Sequence, residues 1–468
     1  MSHDRRMEMA KKICFINPPD NWADKKGDRP PLGLAYLSSY LKQFGHETFI
    51  IDLNHDTLND SPIYDKFVKQ NLEPDFICVT VPTPNYNTAI DLATDMKVTF
   101  PKCKIIAGGA HVAGFPNEPK TLTSFDYIVT GTDGEEALLR IVEGKVDKCN
   151  CNPKSLFHGM INNCPKCMCH PCSCNKGIIV KSIDIDNLDD LPYSDYEGLN
   201  LKRYKMKVGG KKGLMLVASR GCIFSCFYCG SATIKKFRAH TPEYVIQHMK
   251  LLYDKYDIRG FYFGDDIFTL KFDRVFKMCE LINKEFPKKD ITIRITTRSN
   301  LLTGKLCIAM KESGIDIISI GLESGSPKVL KSMRKHETVE IQERGVDYCY
   351  KAGIKVKGFF IFGNPDETWE DILLTINFAK RLVKSGKLNY ADVYILNPIP
   401  ASPFWQNPEE FKIKAIKPKD SDWSNYYQIG KGGHIKVNIR HPHLSSEQLN
   451  DAVELFHKEV NVGGLTYE

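Results

Sequence analysis

Several features are missing from this sequence. Across 468 residues no apolar run reaches the ~18 that a membrane-spanning helix needs. The stretch Met1 to Lys12 is polar and charged, with no apolar segment ahead of a cleavage site, so no secretory leader is expected. No internal repeat and no low-complexity tract occurs, which argues against a solenoid or repeat array. Charge of one sign is also scarce. Against 57 Asp and Glu stand 64 Lys and Arg, leaving +7, a mild excess that gives no strong nucleic-acid signal and only weak support for an acidic membrane surface. With 42% apolar and 26% charged residues the chain has the composition of an ordinary globular protein, long enough for about three domains. Its expected address is the cytoplasm.

Cysteine, by contrast, is plentiful: sixteen residues. In a reducing compartment they argue for metal or redox chemistry rather than a disulfide framework. Seven lie between Cys149 and Cys174, three between Cys222 and Cys229, and six are scattered.

Apolar periodicity divides the chain. The pattern predicts strands at Lys12–Asn17, Glu47–Asp52, Asp75–Val81, Lys104–Ala107 and Tyr127–Thr130, with helices at Leu32–Phe44, Tyr86–Phe100 and Glu135–Val142. This alternation points to an α/β fold, a doubly wound parallel sheet. Ligands of such sheets lie beyond the carboxyl ends of the strands, where Asn17-Pro18-Pro19, Thr80 to Pro84, Gly108-Gly109 and Gly131 to Gly134 gather. Residues 143–205 break the alternation. Leu156–Ile161 and Ile178–Ile183 could form a hairpin around the Cys-rich stretch, and Asp186 to Tyr196 reads as a linker.

From residue 212 the alternation resumes. Strands are expected at Leu214–Ser219, Gly260–Phe263, Thr292–Thr296, Ile315–Gly321, Val356–Phe362 and Ala391–Leu396. Helices are expected at Pro242–Lys255, Phe272–Phe286, Gly304–Ser313, Thr338–Ala352 and Trp369–Val383. Six such units suggest a complete or partial parallel barrel with its site at the carboxyl ends. Cys222, Asp265-Asp266, Arg298, Glu323, Gly363 to Glu367 and Asn397 follow the six strands in turn. The last ~70 residues carry only a helical signal at Ser446–Val460.

The sharpest motif is Arg220-Gly-Cys222-Ile-Phe-Ser-Cys226-Phe-Tyr-Cys229. Three thiolates at CxxxCxxC spacing can hold three corners of an iron–sulfur cubane and leave the fourth iron open. A zinc loop would normally want a fourth local ligand; buried thiols are the other bland reading.

With Tyr228 before the third Cys, this segment resembles the signature of radical S-adenosylmethionine (SAM) enzymes. Gly264-Asp265-Asp266 is similar to the acidic-ended motif after the second strand, although it departs from the common Gly-Gly-Glu. Ile320-Gly-Leu-Glu-Ser-Gly325, Val329 to Lys335, Gly358 to Thr368 with its G-x-P-x-E-T pattern, and Asn397 to Pro403 resemble the cobalamin-dependent subgroup. So do Arg29 to Leu37, Gly45-His46-Glu47, Ala107-Gly-Gly-Ala-His111 and Gly131-Thr-Asp-Gly-Glu135-Glu136 ahead of them. The resemblance covers about residues 12–142 and 185–405. It lacks the Asp-x-His-x-x-Gly motif that supplies a histidine to cobalt; Asp52-Leu-Asn-His55 has different spacing.

The resemblance implies a cobalamin-binding domain at 1–145 and a partial TIM-like barrel at 206–400; the sequence between and after them reads as a linker with a Cys-rich insertion at 146–205 and a partly helical region at 401–468. It implies a [4Fe-4S] cluster on Cys222, Cys226 and Cys229, with SAM contacted by Tyr228, Asp265, Asp266, Arg298, Glu323 and Gly363. Gly108, Gly109, His111 and Gly131 would border cobalamin. The bland alternatives are an N-cap for one of the aspartates, an Arg298–Glu323 pair, and turn roles for Gly363 and His111. The implied reaction is reductive cleavage of SAM, hydrogen abstraction from an unactivated substrate carbon, and methyl delivery from cobalamin, which a second SAM re-methylates. An electron donor such as a flavodoxin or ferredoxin and a small-molecule or peptide substrate are the implied partners. A non-methylating oxidation, cyclisation or ring rearrangement is the close alternative. A tRNA methylthiotransferase fits poorly, because Cys14, Cys78 and Cys103 lie in or beside strands. A metal-stabilised binding protein leaves the barrel motifs unexplained.

The Cys149–Cys174 stretch lies outside that pattern. Cys164, Cys167, Cys169 and Cys172 could close around zinc or hold an additional Fe-S cluster; a solvated insertion is the bland reading.

Overall fold

The computed structural model describes residues 10–20, 28–55, 73–146, 177–418, 420, 422–423, 426 and 436–460. The Cys164, Cys167, Cys169 and Cys172 set and the strand expected at Leu156–Ile161 lie outside these residues. The chain forms two compact units: one of residues 1–185, 191–203 and 418–425, the other of 186–190, 204–417 and 426–468.

The first unit is a six-stranded sheet. Its strands are β1 (Lys12–Asn17), β2 (Glu47–Asp52), β3 (Phe76–Thr80), β4 (Lys104–Gly108), β5 (Tyr127–Thr130) and β6 (Ile178–Lys181), in the order β2-β1-β3-β4-β5-β6. Every pair is parallel. The strands read as near-continuous apolar runs because helices cover both faces; Ile13, Cys14, Phe15 and Ile16 are fully buried. Cys14 and Cys78 serve as apolar core residues here, and burial pushes both thiols well up. The Ile178 segment was expected as a hairpin arm. Instead it pairs in parallel with β5 as the edge strand, since Ile178-Ile-Val extends the apolar surface of that edge. The order reverses between β1 and β3, which opens a crevice at their carboxyl ends, the usual ligand position of this topology.

The second unit holds a seven-stranded sheet: β7 (Lys207–Val208), β8 (Lys211–Leu216), β11 (Gly260–Phe263), β12 (Thr292–Thr297), β13 (Ile315–Glu323), β14 (Lys355–Phe362) and β15 (Tyr390–Ile395). Six strands are parallel and β7 turns back antiparallel on β8. β7 and β15 are the two edges, so the sheet is a partial barrel. The predicted strand Leu214–Ser219 is two elements, because Ser219–Arg220 (β9) leaves the sheet to pair with Arg238–Ala239 (β10). Five helices connect the parallel strands: Pro242–Tyr256, Phe272–Glu285, Gly304–Glu312, Val339–Lys351 and Trp369–Lys384. Their starts are written locally. Thr241, Thr303 and Thr338 each accept from the backbone N–H three residues on, and Thr368 forms a capping box with Asp371, each such cap contributing about 1 kcal/mol.

Alternation along the strands separates two faces. Phe261, Phe263, Ile293, Ile295, Ile318, Ile320, Phe360 and Phe362 are fully buried. The C-terminal helix Ser446–Val460 covers part of that face, with Phe456 at 5.2 Å from Phe360 and 6.0 Å from Phe362. The opposite, inner face carries polar and aromatic residues.

Candidate functional site

The cysteine loop is shaped by its backbone. β9 and β10 clasp its ends, and the Cys222 amide donates to Ile234 O at 3.1 Å. Gly221 has φ +92, and a Cβ there would run into the Lys236 carbonyl, so only glycine fits. Fully buried Phe227 plugs the loop into the second unit, 4.8 Å from Phe411 and 5.7 Å from Phe404. Cys222 and Cys229 are partly exposed and Cys226 is buried; all three are free. Burial raises the thiols of Cys222 and Cys229, the latter to about 11. Deprotonating them takes a bound cation, which is the usual coupling of thiolate ligands to metal.

Four strand-end residues read from the sequence come together at this loop. Arg298, 5% exposed, donates to Cys226 Sγ at 3.4 Å and to the Lys335 carbonyl, and its guanidinium lies 3.9 Å from the centre of the Phe224 ring. Glu323 accepts from Tyr228 Oη at 2.8 Å and from Lys335 Nζ at 3.0 Å. Burial, then the Glu323 carboxylate, hold the Tyr228 phenol well above its ordinary range. Arg298 and Glu323 are thus joined through Lys335, not paired with each other. Glu323 sits at φ +62, beside a register shift between Gly321 and Glu323 where β13 gains a residue over β14. A left-handed non-glycine residue costs on the order of 1 kcal/mol, and the bulge aims the carboxylate at Tyr228.

The two aspartates divide. Asp265 is buried and accepts from Ala218 N at 2.8 Å and Ser219 Oγ at 2.5 Å; desolvation lifts it to about 6. It holds the strand that launches the cysteine loop, and Arg274 holds the same turn through Ala218 O at 2.9 Å. Asp266 is exposed and accepts from Ser231 Oγ at 2.7 Å. Neither caps the next helix, whose N-cap is Lys271. Gly363 has φ +84, its amide donates to Glu367 Oε2 at 2.5 Å, and a Cβ there would face Ile439 and Leu449. It is required by its conformation and by that packing.

Lys335 and Glu337 join the site although no strand-end motif marks them, and Glu367 closes the run after the fifth strand. Glu337 accepts from Asn300 N at 3.0 Å and lies 3.7 Å from Arg298 Nε. Glu367 is fully buried, and desolvation raises it to about 8. Glu337 Oε2 and Glu367 Oε1 are buried with no hydrogen-bond partner among the described residues. The orphaned Glu337 oxygen, joined to the cysteine loop through Arg298, suits a cluster together with a cationic or hydroxyl-bearing molecule.

In the first unit the glycines behave differently from one another. Gly108 faces open space, while a Cβ on Gly109 (φ +107) would lie 2.9 Å from Val81 N. Gly131 (φ +97) packs against Ser182. Asn85, 1% exposed, sits just beyond β3 with its Oδ1 unpaired. This open glycine and orphaned acceptor at the strand ends fit a large polar ligand. His111 does not point out to it. It is fully buried, with Nε2 2.8 Å from Glu118 and Nδ1 3.3 Å from Thr83 Oγ1. Trp423 Nε1 donates to the other Glu118 oxygen at 2.8 Å. Serving a corrin would require His111 to give up both partners.

Residues 216–379 match the Radical SAM superfamily and residues 22–142 the B12 binding domain. An uncharacterized methyltransferase of Pyrococcus horikoshii is 30% identical over 94% of this chain and 90% of its own length. The chain belongs to the cobalamin-binding radical SAM family. It is a radical SAM enzyme, whose cofactors are a [4Fe-4S] cluster, SAM and cobalamin. An anaerobic magnesium-protoporphyrin IX monomethyl ester cyclase of Rubrivivax gelatinosus is 24% identical over 79% of this chain and 65% of its own length. Among solved structures, the radical SAM methyltransferase TsrM of Kitasatospora setae, with tryptophan substrate and a SAM analog bound, shares the fold. Its TM-score is 0.70 at 14% identity, over 96% of this chain and 89% of that one. Among the described residues no helix is long and apolar enough to cross a membrane.

Proposed function

We propose that this protein is a cobalamin-dependent radical SAM methyltransferase that methylates an unactivated carbon or phosphorus centre. The observation that supports this reading most is the convergence of Arg298, Glu323 and Tyr228 on the cysteine loop, in a chain that also carries a B12 binding domain. When bound, the cluster supplies an electron to SAM, and cobalamin supplies a methyl carrier.

The chain's own residues orient and exclude. Cys222, Cys226 and Cys229 hold the cluster. Arg298 places a fixed positive charge against the Cys226 sulfur, where it faces the cluster. Exposed Asp266 is free on one side to accept from the SAM ammonium. Glu337 Oε2 is the acceptor for a SAM hydroxyl or amino group. Tyr228 and Glu323 fix the aromatic wall next to the third cysteine. Phe224 and Phe227 keep water from the buried side of the loop, where an electron transfer needs a dry site. Gly108, with open space above it, and Asn85 border the corrin. The reductant is a flavodoxin- or ferredoxin-class protein of the cytoplasm.

The test is anaerobic reconstitution with iron, sulfide and hydroxocobalamin, then assay with a reductant and SAM. Wild type is expected to form both 5′-deoxyadenosine and S-adenosylhomocysteine, and Cys226→Ala neither, while keeping its circular dichroism. Deoxyadenosine alone would move the reading to the non-methylating chemistry that the cyclase relative exemplifies. Full activity in Cys226→Ala would sink it.

A further inference from the structure

The inner face of the partial barrel carries a charge that the cofactor chemistry leaves unused. Arg294 on β12 is 6% exposed. Its Nε donates to Ser319 Oγ at 3.1 Å, and its guanidinium lies 4.7 Å from the centre of the Tyr262 ring. Among the described residues no carboxylate lies within ion-pair distance of it. A buried guanidinium without a counterion is costly, and a cation–π contact offsets only part of that cost.

Its neighbours do not neutralise it. Asp392 on β15, the carboxylate of this face, is taken by Lys357 Nζ at 2.5 Å and by Tyr394 Oη at 3.3 Å. The rest of the wall is aromatic: Tyr262, Phe359 and Tyr394 are half-buried, with Phe359 and Tyr394 rings 6.3 Å apart. Burial of those rings is incomplete although their outer-face neighbours are fully buried, so this face has room left to fill.

We propose that Arg294 is the anchor for an anionic group of the substrate, a carboxylate or a phosphoryl or phosphonyl group, carried on a flat apolar body that lies against Tyr262, Phe359 and Tyr394. A guanidinium fork matches such oxyanions bidentately. Nε is already committed to Ser319, which leaves the two terminal nitrogens to form the fork. The anchor also fixes a length. Arg298 follows the last residue of β12, and Arg294 Nε reaches Ser319, which stands opposite Thr296; the guanidinium is thus about two residues, roughly 7 Å, below Arg298 along the strand. The acidic group therefore sits below the cysteine loop and the reacting atom nearer the mouth, so the substrate carries its charge at the end away from the reacting atom. This inference rests on the proposed site at the mouth.

Ligand-observed NMR on the loaded full-length enzyme with SAM, without reductant, tests it. Phenyl phosphate is the anionic probe and benzyl alcohol its neutral counterpart. Wild type is expected to bind phenyl phosphate and to show little binding of benzyl alcohol. Arg294→Gln and Arg294→Met should each weaken phenyl phosphate about tenfold or more, with Arg294→Lys in between. Equal binding of the two probes by wild type would overturn the proposal even if no variant folds. So would phenyl phosphate affinity unchanged in either folded uncharged variant. Because binding is read at equilibrium, this outcome is separate from whether S-adenosylhomocysteine forms in the assay above.

Discussion

Both units are parallel α/β sheets, yet they furnish the carboxyl ends of their strands in opposite ways. In the first, the ionisable group beyond β4, His111, is enclosed by Glu118, Thr83 and Trp423, and what faces outward is a glycine with open space above it. In the second, the charges themselves form the floor of the site. Arg298, Lys335, Glu323 and Tyr228 form one chain of contacts ending on a cysteine sulfur. A large, preassembled ligand needs surface and clearance. A cluster assembled on thiols with raised pKa values needs fixed positive charge close by.

Breaking the second arrangement is expected to have the largest effect. Arg298→Ala leaves Glu337 buried without its cation, a loss of about 3–5 kcal/mol. Denaturant unfolding should show it, and reconstituted iron per chain should fall in the same variant. His111→Ala strikes the corresponding point of the first unit. Glu118 keeps the Trp423 donor, so the expected loss is smaller, about 2–3 kcal/mol, and unfolding curves will rank the two.

The two neighbouring glycines sharpen the comparison. Gly109→Ala forces a side chain into φ +107 against the Val81 backbone and should cost about 1–3 kcal/mol. Gly108→Ala meets open space and should change stability by less than about 0.5 kcal/mol while weakening cobalamin retention on gel filtration. A separate effect is one of pH. Glu367 is raised from 4.5 to about 8, so between those values the folded state holds a proton that the unfolded state has lost. Stability should therefore decline as pH rises through that window and level off above about 8. Glu367→Gln, which mimics the protonated acid, should be near-neutral at low pH and should flatten the decline in denaturant midpoints.

Much of this was legible beforehand. β1, β2, β5 and β11 and the helix Ser446–Val460 have the expected bounds, because their apolar runs end on turn residues. The short helices Ala110–Gly114 and Pro119–Ser124 were not, since five or six residues carry too little periodicity. Residues that follow strands could be placed at the barrel mouth by counting. Lys335 and Glu337 lie past a short helix and could not. Trp423 was out of reach for another reason: it meets Glu118 across 305 residues of chain, and nothing local marks such a pairing. The split between Asp265 and Asp266 was equally hidden, because adjacent side chains at a strand end point to opposite sides and only the fold says which side is dry.

The bulge at Gly321–Glu323 makes this site sensitive to chain length. In the register set by Gly321 opposite Phe359, position 323 would stand across from Ile361; with the extra residue it stands across from Phe360. Removing a single residue there would keep every functional side chain in the sequence and still turn the carboxylate away from Tyr228. Variation in β13 should therefore be tolerated as exchange of one residue for another more readily than as a gain or loss of one.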